Sequence, residues 1–142
     1  MKENSVKHNN SYSTTLVTFY HLSKNKLSST SMTPRVPKSD YEDQTTPRIC
    51  MSNSIQGCLI GINEDKDITG KKFYVYFYET NEYYKPSSKE VKDVSVTGEV
   101  WILKPITLSY KGIVEITGIK GYKTKKFNGK FHKIPQYEYK FL

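Results

Sequence analysis

The sequence predicts a strand-dominated α+β domain, and three segments carry that prediction. Residues 73–78 alternate Phe or Val with Tyr, which is the period of a strand with one apolar face and one hydroxyl-bearing face. Residues 100–103 are apolar throughout, as expected of a central strand covered on both sides. Only residues 53–63 have apolar side chains at helical spacing, namely Ile55, Cys58, Leu59 and Ile62. One short amphipathic helix among many strands favours α+β over a parallel-sheet fold.

The 142 residues fit a single globular domain over residues 14–142, preceded by a polar tail over residues 1–13 that is disordered or loosely attached. Further strands are expected at residues 16–21, 112–116 and 137–141. Residues 23–47 contain three prolines and form a long irregular loop. Loops of this length in a small domain are commonly functional or mobile.

The hydropathy of the sequence and the motifs that it lacks narrow the class of protein. No run of about 18 apolar residues occurs and the first residues are polar, so we expect no membrane span, no secretion signal and a cytoplasmic protein. Cys50 and Cys58 fit no zinc-binding spacing and are expected to be small buried side chains. The chain also lacks a glycine-rich phosphate loop and a Gly-x-Ser-x-Gly elbow. It has no His-Glu-x-x-His motif either, and we expect no bound metal.

The net charge of +8 is concentrated near the end of the sequence. Residues 111–142 hold eight lysines against two glutamates, a net +6. Such a segment can contact nucleic acid or an acidic protein, and the lysines expected to do so are Lys120, Lys123, Lys125, Lys126 and Lys130. The alternative is a lysine-rich hairpin that only keeps its surface solvated.

The two arginines indicate a ligand with phosphate or carboxylate groups. The chain uses Lys twenty times and Arg twice, and both Arg35 and Arg48 follow Thr-Pro. Arginine presents a planar fork that binds phosphate at two points, whereas lysine offers a point charge. We therefore expect a nucleotide or phosphorylated ligand here. The alternative is that both arginines pair with the acidic residues between them, Asp40, Glu42 and Asp43.

His21 and Glu99 are the candidate catalytic residues. His21 ends an apolar strand, where a side chain can reach into a cleft, although a single histidine is often a surface or core residue. Glu99 immediately precedes the apolar residues 100–103, where burial would raise the pKa of its carboxyl group. The alternative for Glu99 is a strand-entry carboxylate that faces water.

Taken in order, these segments resemble the ADP-ribosyltransferase superfamily, in particular its compact rifampin-modifying and RNA 2′-phosphotransferase types. The resemblance covers about residues 16–118. The matching motifs are His21-Leu22-Ser23, Ser31-Met32-Thr33-Pro34, the strand and helix over residues 48–62, and the stretch from Gly98 to Ile106.

The resemblance implies a strand-rich ADP-ribosyltransferase-like fold and a mono-ADP-ribosyltransferase that uses NAD. His21 would hydrogen-bond the nicotinamide ribose with help from Ser23, and Glu99 would stabilise the charge that develops when the nicotinamide bond breaks. The other expected NAD-binding residues are Arg35, Arg48, Tyr41 and Ser52. Where the family commonly has an aromatic residue, this sequence has Cys50, which makes a protein that binds without catalysis a competing interpretation.

Two further functions stay open at this stage. The size and composition suit a phage-encoded anti-defence protein of the host cytoplasm, which would sequester a nucleotide or inhibit a nucleic-acid enzyme through residues 111–133. The other is that of a structural interaction module built on tyrosine-rich strand faces.

Overall fold

The computed structural model describes residues 10–37, 45–63 and 67–142. Within these ranges the structure has eight strands and two short helices. The elements are β1 Asn10–Ser23, β2 Ser31–Met32, β3 Ile49–Ser52, α1 Ile55–Asn63, β4 Lys72–Tyr84, α2 Val94–Thr97, β5 Glu99–Ile102, β6 Ile106–Thr107, β7 Ser109–Phe127 and β8 Lys130–Phe141.

Four strands close into a ring. The sheet order is β1-β3-β5-β4-β7-β8, and β1 also pairs with β4 along ten residue pairs, so β1, β3, β5 and β4 form a closed circuit. All of these pairings are antiparallel. β7 and β8 extend the sheet outward from β4, while β2 and β6 form a separate two-stranded sheet. Closure leaves few unpaired edges on the ring.

The alternation of side chains along the strands divides the core into two main clusters. On one face, Phe19, Met51 and Val100 pack with other apolar residues of β3 and β5. On the other face, Val75 and Val114 pack beneath α1 through Leu59, which is fully buried. The apolar stripe predicted for the helix therefore contacts the sheet as expected.

A third cluster is built around the single tryptophan. Trp101 on β5 is completely buried and packs with Tyr84 of β4 and with Val91, which precedes α2. Tyr84 pairs directly with Trp101 across the two strands, and their rings stack at 5.1 Å. This contact ties the far end of β4 to β5 and completes the ring.

The predicted strand-rich α+β class is confirmed, with differences at three points. β1 begins at Asn10, so residues 10–13 of the predicted tail belong to a strand that pairs with β4; residues 1–9 lie outside the described residues. A second helix, α2, joins the single helix that the sequence predicts. Residues 23–37 of the predicted loop include β2, which pairs with β6.

No helix in the described ranges is long and apolar enough to span a bilayer. Within the same residues, no cluster of three or more His, Cys, Asp or Glu side chains could hold a metal ion.

Candidate functional site

A cavity of about 640 Å³ lies where β1, β3 and β5 meet α1, α2 and the turn between β7 and β8. Of the residues expected to bind or act on a ligand, His21, Ser52 and Glu99 contribute to its lining. Ser23, Arg35 and Arg48, which the structure also describes, are not among the lining residues. A volume of this size is in the range that accommodates small-molecule ligands, about 300–1,000 Å³.

Strand register brings three side chains into one row. Ser52 pairs with Tyr20 on one side and with Glu99 on the other. Residues directly opposite in an antiparallel pair point to the same face, so Tyr20, Ser52 and Glu99 are neighbours on the cavity side. Ser52 and Glu99 were predicted from the sequence, whereas Tyr20 was not.

The carboxylate of Glu99 is held in position by Trp101. The indole Nε1–H of Trp101 donates to Glu99 Oε2 at 2.7 Å. Trp101 cannot turn freely, because the Arg48 guanidinium lies 4.0 Å from the centre of its ring and Tyr84 stacks on it from the neighbouring strand. A buried and immobile donor therefore orients a carboxylate at the cavity, as a preorganised electrostatic site requires.

Ser52 has a structural role within the row. Its hydroxyl donates to the carbonyl of Thr97 at 2.5 Å and accepts from the backbone N–H of Ser54 at 3.3 Å. Ser52 thus links β3 to α1 and α2. Gly57 allows this approach, because a Cβ at that position would overlap the Thr97 carbonyl oxygen.

His21 is placed differently from the expectation. It follows Tyr20 on β1, and since successive side chains of a strand alternate, the His21 ring points to the face opposite Glu99. Its ring centre lies 6.5 Å from that of Tyr76, a member of the cluster on that face. Burial and the nearby Arg35 guanidinium lower the pKa of His21. His21 contributes to the cavity wall, but its side chain does not lie beside Glu99.

The two arginines form a backbone bridge with each other. The N–H of Arg35 donates to the Arg48 carbonyl at 3.1 Å, and the N–H of Arg48 donates to the Arg35 carbonyl at 3.0 Å. Arg48 is buried against Trp101 and donates from Nη1 to the Thr46 carbonyl at 3.1 Å, while Arg35 is exposed. Arg48 does not line the cavity, because its guanidinium packs on Trp101.

Ser23 is described in the structure and does not line the cavity. The Ser23 hydroxyl donates to the Asn25 carbonyl at 2.6 Å and braces the end of β1. Tyr41 lies outside the described residues, as do the acidic residues Asp40, Glu42 and Asp43.

Both cysteines are free and contribute to the cavity lining. Burial and the neighbouring Glu99 carboxylate raise the pKa of the Cys50 thiol to about 12, against the opposing effect of Arg48. Burial raises the pKa of the Cys58 thiol to about 12 as well. The raised pKa keeps both thiols protonated near neutral pH, the form in which a thiol is a poor nucleophile.

Several lining residues besides Tyr20 were not predicted from the sequence. Phe127 and Asn128 enter the cavity wall from the turn between β7 and β8, and Lys92 and Asp93 enter from the segment before α2. Gly61 of α1 also borders the cavity, and a Cβ placed there would meet no atom within 4 Å. The available signal was Asn128-Gly129, a strong hairpin dipeptide that fixes where the turn lies.

Comparisons with protein-family models, curated proteins and solved structures each find no match for this chain. The chemistry of the lining residues determines which ligands the cavity can bind. Its polar lining includes the carboxylates of Glu99 and Asp93 and the ammonium of Lys92, and its aromatic lining includes Tyr20 and Phe127. Carboxylate and aromatic faces together suit a ligand with a positively charged ring.

Proposed function

We propose that the cavity binds NAD or a closely related nucleotide by its nicotinamide end, as in an ADP-ribosyltransferase-like protein. The observation that carries the proposal is the Glu99 carboxylate, fixed by the Trp101 indole at 2.7 Å in a cavity with aromatic walls. The nicotinamide ring of NAD is cationic, so an oriented carboxylate and the faces of Tyr20 and Phe127 match its charge and shape.

The row on the sheet supports this proposal in a way that the sequence alone did not. Cys50 occupies the position where an aromatic residue is common in the family that the chain resembles. Tyr20, on the adjacent strand and in the same row as Glu99, supplies an aromatic side chain at the cavity instead. Lys92 also lines the cavity, and its ammonium group is suited to bind the diphosphate of NAD.

NAD supplies a glycosidic bond whose cleavage releases neutral nicotinamide and leaves ADP-ribose to join a nucleophile of the acceptor, which loses a proton. Glu99 would stabilise the positive charge that develops on the ribose as this bond breaks. Removing one preorganised electrostatic group of this kind costs about 100- to 1,000-fold in rate. Tyr20 and Phe127 would keep water away from the ribose carbon at which the glycosidic bond breaks.

The first test compares two ligands that differ chiefly in the charge of one ring. NAD should bind more tightly than NADH, whose nicotinamide ring is neutral, by about tenfold, which corresponds to about 1.4 kcal/mol. Glu99→Gln should abolish this preference, because the amide carries no charge. Glu138→Gln, a change at an exposed carboxylate on β8, serves as the matched control and should retain it. Calorimetric titration of each variant with both ligands measures the effect.

The second test is release of nicotinamide on incubation with NAD. Release by the unaltered protein and its absence in Glu99→Gln would support transferase chemistry. Binding of NAD without release would support a protein that sequesters the nucleotide. Failure to bind NAD, or equal binding of NAD and NADH, would end the proposal.

A further inference from the structure

The hairpin of β7 and β8 extends far beyond the rest of the sheet. The last pair between β4 and β7 is Lys72 with Glu115, whereas pairing between β7 and β8 continues to Phe127 and Lys130. Asn128 and Gly129 close the hairpin with positive φ values of 53° and 76°, as a two-residue turn requires. We call residues 117–136 the arm.

The base of the arm is attached to α1. The Gln56 side chain donates from Nε2 to the Pro135 carbonyl at 2.8 Å and accepts from the Tyr137 N–H at 2.9 Å. Ile134 is buried beside this contact. The arm is therefore held in one orientation at its base, while most of its length remains exposed to solvent.

The charge of the arm has one sign. It contains six lysines and no Asp or Glu, and all six are exposed: Lys120, Lys123, Lys125, Lys126, Lys130 and Lys133. Its charge of +6 compares with +8 for the whole chain. A surface of this kind is complementary to a polyanion.

Register separates the arm into two faces. The pairs Lys126 with Phe131, Thr124 with Lys133 and Tyr122 with Pro135 share what we call the outer face. On the other face, Phe127 and His132 stack with their ring centres 3.9 Å apart, and Phe127 turns toward the cavity. The aromatic residues of the two faces thus have different environments.

The outer face presents two exposed aromatic rings, Tyr122 and Phe131, beside Lys126 and Lys133. Phe131 is 73% exposed and Tyr122 is 61% exposed, and Lys126 Nζ lies 5.4 Å from the centre of the Phe131 ring. With a strand rise of about 3.4 Å per residue, the rings stand roughly 14 Å apart along the ribbon, so each can stack on its own base. A hairpin that served only to stay solvated would not need these rings.

We propose that the outer face of the arm binds single-stranded nucleic acid, with Tyr122 and Phe131 stacking on bases and the lysines contacting phosphates. Exposed aromatic rings combined with lysines along a groove or strand face are the usual elements of such binding. An intact duplex hides the base faces that these rings would contact, so the single strand is the preferred form. The residues involved differ from those that carry the NAD proposal, and neither proposal depends on the other.

The test is fluorescence anisotropy with a labelled single-stranded oligonucleotide of about 16 nucleotides, the upper end of typical site sizes. Phe131→Ala and Tyr122→Ala should each weaken binding by about 5- to 150-fold, the equivalent of losing one stacked base. Tyr110→Ala removes a ring that is 49% exposed outside the arm, and it should leave affinity unchanged. Thermal unfolding of each variant checks that the fold is retained.

Charge and stacking are separated by salt. The plot of log affinity against log salt should be steep, and its slope should fall by about 0.7 for each phosphate that is no longer neutralised by a lysine. Lys126→Gln with Lys133→Gln should therefore lower the slope, whereas the aromatic variants should weaken binding with the slope unchanged. Lys24→Gln with Lys26→Gln removes the same charge elsewhere and is the control.

Four outcomes would overturn the proposal: no oligonucleotide binding, stronger binding to a duplex of the same sequence, aromatic variants that bind like the unaltered protein, or binding only to anionic lipid vesicles. Glu99→Gln should bind the oligonucleotide normally, so failure of the NAD proposal and failure of this one give different results.

Discussion

The ring of strands and the arm each contain a cation packed on an aromatic side chain, but the two pairs have different roles. In the ring, the Arg48 guanidinium lies 4.0 Å from the centre of the Trp101 ring, and both side chains are buried. In the arm, the Lys126 ammonium lies 5.4 Å from the centre of the Phe131 ring, and both are exposed. Burial therefore decides whether a cation and an aromatic ring hold the fold together or remain available to a ligand.

The largest expected effect comes from replacing the two aromatic side chains, Trp101 and Phe131, one at a time. Trp101→Ala should lower the free energy of unfolding by about 3–5 kcal/mol, because it leaves a cavity and removes the surface on which Arg48 and Tyr84 pack. Phe131→Ala should change it by less than about 0.5 kcal/mol, as is usual at an exposed position. Urea denaturation measures both. Equal losses from the two substitutions would contradict the contrast between ring and arm.

Trp101→Phe refines this prediction. Phenylalanine keeps an aromatic ring but has no N–H to donate to Glu99. The variant should stay folded and show a reduced preference for NAD over NADH, since Glu99 loses the hydrogen bond from the Trp101 indole. Full retention of that preference would show that the Trp101–Glu99 hydrogen bond has no role in ligand binding.

A smaller effect is expected at two glycines of α1. Gly57→Ala should destabilise the protein by about 1–3 kcal/mol, since the new methyl group would overlap the Thr97 carbonyl oxygen and the Ser52 hydroxyl. Gly61→Ala should stabilise it by up to about 1 kcal/mol, because alanine favours the helix and nothing lies in its way.

The same helix offers a test of the cavity. Gly61→Leu would place a larger side chain at the cavity wall and should weaken NAD binding while oligonucleotide binding stays unchanged. Thermal unfolding and calorimetry on the same preparations measure the stability and binding effects. Unaltered NAD affinity in Gly61→Leu would mean that the nucleotide binds elsewhere.

Most of the strands and the main helix could be predicted because their signals are local. The alternation over residues 73–78 and the spacing over residues 53–63 each describe one element and its buried face. The second helix, α2, was missed because three of its four residues, Val94, Val96 and Thr97, favour strands by propensity. Its end depends on Gly98, which has a φ of 64° and a Cβ position occupied by the Asn53 side chain.

The site was harder to predict because it depends on register. Periodicity states that Tyr20 and His21 point to opposite faces, but only the pairing of Ser52 with both Tyr20 and Glu99 shows which of them is beside the carboxylate. Closure of the ring depends likewise on β1 pairing with β4, a contact between distant parts of the sequence. The arm is the exception, since Asn128-Gly129 fixes its register locally and could have identified the outer face in advance.

The last prediction concerns the dependence of stability on pH. Burial and Arg35 hold the pKa of His21 below its ordinary value, so the unfolded chain binds more protons than the folded protein as pH falls through about 6.5. Stability should therefore decline on acidification from pH 7 toward the lowered pKa, by no more than about 1.4 kcal/mol per pH unit. His21→Gln should reduce this slope, and Arg35→Gln should reduce it less, because burial is the larger cause. Urea denaturation at a series of pH values would contradict this account if His21→Gln left the slope unchanged.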